Sequence, residues 1–68
     1  MQNSDYASLT PAENAEFDRL QSCFTEAQYD AVERALCLRA YVIGWLGDPL
    51  EQPARVVLNI AREIAAAA

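Results

Sequence analysis

The sequence predicts an all-α domain: a helical hairpin followed by a third helix, packed as a small three-helix bundle and expected to form a homodimer. Three observations carry this reading. Thr10-Pro11-Ala12-Glu13 and Thr25-Glu26-Ala27-Gln28 are capping boxes, in which a threonine and the residue three positions on satisfy each other's free backbone N–H groups. Apolar residues recur at helical spacing after each box. No alternating run and no Asn-Gly or Asp-Gly turn marks a strand.

Residues 1–9 are polar and unpatterned and are expected to be flexible; residues 10–68 form the single domain. The first helix is predicted over 11–24. Pro11 suits its first turn, where a missing N–H has no partner to lose. Phe17, Leu20 and Phe24 make a narrow apolar stripe. The second box follows almost at once, which makes the first two helices a hairpin. The second helix is predicted over 26–46, with Tyr29, Val32, Leu36, Ala40 and Ile43 on its apolar face, flanked by Leu38, Val42, Trp45 and Leu46. That face is wider than an ordinary surface helix carries, so this helix is expected to be the centre of the fold. Gly47 is the expected left-handed cap, and Pro49 could not continue the helix. The third helix is predicted over 53–66, with Val57, Ile60, Ala61, Ile64 and Ala68 buried and Arg55, Asn59 and Arg62 wet.

Composition narrows the chemistry. The chain has 68 residues and a net charge of −5, with no histidine. The acidic balance argues against direct nucleic-acid binding and against anionic membranes. Without histidine the commonest general base and the commonest zinc ligand are missing. No metal, no cofactor and no catalytic residue is expected, and the chain is read as not an enzyme. Cys23 and Cys37 lack CxxC spacing and are read as reduced thiols in a cytoplasmic protein. No signal peptide and no bilayer-spanning run is recognised. Arginine without lysine, with abundant alanine, suggests a bacterial or phage source. The alanine-rich end at Ala65–Ala68 is either a fraying helix end or a tail of the kind read by bacterial unfoldase–proteases.

The function expected is a non-catalytic protein–protein interaction module, a small acidic helical regulator, adaptor or inhibitor acting on another protein. Its candidate partner or self-association surface is Leu38, Arg39, Tyr41, Val42, Trp45 and Leu46. Arg39 falls within the apolar face. Either its stem packs and its head reaches water, or it meets a carboxylate such as Glu13, Glu16 or one from a second chain. Two alternatives come from other classes. Glu26, Asp30 and Glu33 share one helical face and could mimic nucleic-acid phosphates on a basic target, or serve only as a solvated face. A helix-turn-helix DNA-binding regulator is the other, although Arg55 and Arg62 beside Glu63 make a poorly charged recognition helix. Gly44-Trp45-Leu46-Gly47 has the outline of a GXXG loop but carries no basic residue, which removes it as a nucleic-acid clamp.

Overall fold

The computed structural model describes residues 6–67, which form three α-helices and, among the described residues, no strand. Helix α1 spans Pro11–Cys23, α2 Glu26–Ile43 and α3 Ala54–Ala67, with a 3-10 turn at Pro49–Glu51 before α3. Both predicted capping boxes form. Thr10 Oγ1 accepts from the Glu13 N–H at 3.1 Å while Glu13 Oε1 accepts from the Thr10 N–H at 2.9 Å. The pair Thr25 and Gln28 repeats this at 3.2 and 2.9 Å. Helix α3 starts as expected beside Pro53, whose carbonyl accepts from the Val56 N–H at 2.9 Å.

The second helix ends one turn earlier than predicted, at Gly44 and not Gly47. Gly44 adopts φ +70°, the left-handed conformation that suits a residue without Cβ. The Trp45 N–H then reaches the Ala40 carbonyl at 2.8 Å and the Gly44 N–H reaches Tyr41 at 3.4 Å, a Schellman closure. Apolar residues continue through Trp45 and Leu46, so periodicity alone carries the helix too far.

Helix α3, not α2, is the centre. It packs against both α1 and α2, whereas α1 and α2 diverge after their short junction and do not lie along each other. The expected hairpin of the first two helices is therefore replaced by the α2–α3 pair, with α1 laid on α3. Leu58 is wholly buried at 0% exposure, and Val56 and Ala61 are buried with it. Leu58 and Ala61, three residues apart, share one side of α3 while Val56 lies on another, as befits an element covered on two sides. Val57, Ile60 and Ile64, predicted as the buried stripe, pack as half-buried neighbours of Val32, Leu36 and Val56.

Arg55 and Arg62 are not a wet face. Arg55 holds Glu13 through two nitrogens at 2.6 and 2.8 Å, and Arg62 holds Glu16 at 2.6 and 2.8 Å. Of the segment expected to be flexible, residues 1–5 lie outside the described ones, and Ala7 and Ser8 give their carbonyls to Arg55 at 3.4 and 2.9 Å. Ala68 also lies outside the described residues.

Candidate functional site

Helix α2 carries apolar side chains on two opposite sides. Val32, Leu36 and Ala40 form the buried side, against α3. At about 100° per residue, Leu38, Tyr41 and Val42 point the other way. Nothing in the described chain seals them: Leu38 is 65%, Tyr41 86% and Val42 72% exposed.

The loop after α2 extends this surface. Gly44 and Gly47 both have positive φ, +70° and +104°. Between them the half-buried Trp45 is anchored, its indole N–H donating to the Asp48 carbonyl at 3.0 Å. Leu46 is left almost free of contact, at 93% exposure. The Gly-Trp-Leu-Gly stretch is thus a fixed loop that presents a leucine, where the sequence placed it in a helix end.

Two of the six candidate surface residues face the protein itself. Trp45 is tied to its own loop as described. Arg39 is half-buried, and its Nη1 donates to Gln52 Oε1 at 2.6 Å. Glu13 and Glu16, the carboxylates suggested for it, are taken by Arg55 and Arg62. Leu38, Tyr41, Val42 and Leu46 are the four candidates that the fold leaves outward.

Gln52 was invisible in the sequence, where nothing distinguishes a glutamine before a proline. It is 4% exposed, and its Nε2 donates to the Leu36 carbonyl at 2.8 Å and the Pro49 carbonyl at 2.7 Å. With Arg39 on its Oε1, it ties the connector to the flank of α2. This linkage fixes where the Leu46 loop sits relative to the outer face.

Glu26, Asp30 and Glu33 are all exposed on the N-terminal half of α2. The perturbed carboxylates lie elsewhere. Hydrogen bonds from Arg55, reinforced by the Thr10 backbone, hold the Glu13 carboxyl well below the usual range, at about 2. Arg62 lowers that of Glu16 by the same kind of contact. Both groups are already engaged in joining α1 to α3, which is a structural task.

Among the described residues no cluster of His, Cys, Asp or Glu is placed to hold a metal ion. Cys23 and Cys37 are free and exposed. A cleft of about 50 Å³ opens between the helices, lined by Phe17, Phe24, Tyr29, Val32, Val57 and Ala61 among others. At its rim Phe24 and Tyr29 meet edge to face at 5.8 Å, and the Tyr29 hydroxyl donates to the Gln21 carbonyl. Small-molecule sites usually need about 300 Å³ or more, so this cleft is a packing gap. No helix among the described residues is long and apolar enough to cross a membrane.

No protein family, curated protein or solved structure matches this chain. The reading of its function therefore rests on the arrangement of its own side chains.

Proposed function

We propose that the protein is a non-catalytic interaction module whose working surface is the outer face of α2, made by Leu38, Tyr41 and Val42 with Leu46 beside them. The observation that carries this is the opposition of two apolar sides on one helix. One side builds the core, and the other contributes nothing to it yet remains apolar. A cluster of large apolar side chains facing water on so small a protein marks a surface to be covered by protein. Helices dock in this manner through residues at three- and four-residue spacing.

The acidic row Glu26, Asp30 and Glu33 supports a second reading, in which it engages a basic groove as nucleic-acid phosphates do. Its exposure along one helical face favours that reading. Two features weigh against the helix-turn-helix alternative. The connector from Gly44 to Pro53 far exceeds the usual turn of about 3–4 residues. The arginines of the third helix, which recognition would need, are engaged with Glu13 and Glu16.

The test is paired affinity capture with the tagged full chain and with a Leu38→Glu, Tyr41→Glu variant, at low and high salt. Partners kept by the wild type in high salt and lost by the variant support the apolar face. Partners released by salt alone, and retained by the variant, support the acidic row. Identical captures by both chains at both salt concentrations rule out the apolar face.

A further inference from the structure

We infer that the side of α3 beneath α1 is a docking groove for an acidic amphipathic helix of another protein, and that α1 is the intramolecular occupant holding it shut. This surface is separate from the outer face of α2, and it stands whether or not that face is used.

Three positions of α3 build the groove. Arg55, Leu58 and Arg62 lie three and four residues apart, so they line one side of the helix. Leu58, wholly buried, stands between the two cationic positions. Helix α1 answers this pattern. Its half-buried residues are Glu13, Glu16, Phe17 and Leu20, and every other residue of the helix is exposed. Glu13 holds Arg55 at 2.6 Å, Glu16 holds Arg62 at 2.6 Å, and Arg62 also stands 4.0 Å from Glu13. Phe17 lines the cleft with Val57 and Ala61. The ligand chemistry is therefore two carboxylates three residues apart, with large apolar side chains one and four positions after the second.

Helix α1 fills this place loosely. It packs along α3 and not along α2, and none of its side chains is fully buried. The cleft of about 50 Å³ stays open between Phe17 and Phe24 on one side and Val57 and Ala61 on the other. Two extended residues, Phe24 and Thr25, join it to α2 and form the joint about which it turns. A free helix with the same four side chains makes every contact that α1 makes, and bulkier neighbours fill the gap as well. The groove also selects against other occupants. A purely apolar helix leaves Arg55 and Arg62 without carboxylates, and a nucleic acid brings the charge without an apolar side for Leu58.

The probe is a fluorescent synthetic peptide of residues 6–24, titrated into the full chain and followed by anisotropy. Tethering gives α1 an effective concentration on the order of millimolar, so the wild type should bind the peptide weakly. A Glu13→Arg, Glu16→Arg chain, whose own α1 is repelled by Arg55 and Arg62, should bind it at least tenfold more tightly. Peptides carrying Glu13→Gln with Glu16→Gln, or Phe17→Ala, should each lose at least tenfold. The wild type gives a second reading that does not depend on the folding of the variant. In the isotope-labelled wild-type chain, millimolar peptide should move the NMR signals of residues 11–23 toward unfolded positions and leave those of α3 in place. Absence of binding to either chain, with the α1 signals unmoved, overturns the inference. So does binding that ignores the glutamates or Phe17 of the peptide. A wild-type chain that doubles its mass of 7.5 kDa in light scattering, and ceases to do so with Arg55→Glu, makes the occupant the α1 of a second copy and overturns it too.

Discussion

Glu13 and Arg55 are joined by two hydrogen bonds, Oε2 to Nη1 at 2.6 Å and Oε1 to Nη2 at 2.8 Å, across 42 residues of sequence. The same Glu13 oxygen that meets Nη2 also accepts the Thr10 N–H. One carboxylate therefore finishes the start of α1 and fastens that helix to α3. Such forked contacts are the stronger kind of charged hydrogen bond.

Acid should loosen this attachment. The folded Glu13 titrates at about 2, below its ordinary value of 4.5. A carboxyl depressed in the folded state contributes stability above its unfolded pKa and loses it as pH falls toward the folded one. Thermal unfolding followed by circular dichroism should therefore show a melting temperature that declines between pH 4.5 and about 2, with Glu16 contributing in the same direction. Glu13→Gln should start lower at pH 7 and decline less over that interval. Parallel pH profiles for the two chains would remove the role assigned to the pair.

Gln52→Glu should harm the fold although it places a negative charge beside Arg39. The Nε2 group donates to two carbonyls, and a carboxylate in its place turns oxygen toward oxygen. Leaving buried polar groups without partners costs about 1–3 kcal/mol. Urea unfolding at pH 7 should place Gln52→Glu below both the wild type and Gln52→Met. A stabilised Gln52→Glu chain would show that the Arg39 contact outweighs the two carbonyls.

Leu58→Ala should be among the most damaging single changes. Truncating a buried leucine costs about 2–5 kcal/mol. At about 0.05–0.15 kcal/mol per residue, a domain of this length has only about 3–10 kcal/mol in total. The variant should be largely unfolded near body temperature, as read by loss of helical circular dichroism. By contrast, Leu38→Ala should shift stability by no more than about 0.5 kcal/mol when the protein is dilute.

Gly44→Ala should cost about 1–2 kcal/mol, because its φ of +70° is strained for a residue with a side chain. The cost comes from the backbone alone, since no atom lies within 4 Å of where a Cβ would stand. Gly44→Asn should cost less, as asparagine tolerates this conformation better. Equal melting temperatures for alanine and asparagine would contradict this account.

Helix starts were legible because capping is local: Thr10 and Glu13, or Thr25 and Gln28, sit within one turn and need no tertiary context. The end of α2 was not, because Gly44 and Gly47 are both plausible caps and the apolar run passes through the first. The central place of α3 was hidden for another reason. A single-stripe reading finds Val57, Ile60 and Ile64, but a helix covered from two sides also buries Val56 and Leu58, which no one stripe contains. Arg55 and Arg62 looked wet because the carboxylates that grip them are far away in sequence; Glu13 and Glu16 arrive only when α1 folds back. Leu38, Tyr41, Val42 and Leu46 stand out in the sequence as an excess of apolar residues around one helix, and the fold leaves them exposed, as it does Tyr6, Tyr29, Ile43 and Leu50. Arg39 and Trp45, placed among them by angle alone, are drawn inward by Gln52 and Asp48.

Helix α1 has no fully buried side chain, and ion pairs to α3 supply much of its hold. It should therefore detach without dragging the other two helices apart. In deuterated buffer, amide protons between Phe17 and Cys23 should exchange through this partial release, faster than those of Leu36 or Leu58, which wait for the whole molecule to open. Added salt should quicken the first group far more than the second.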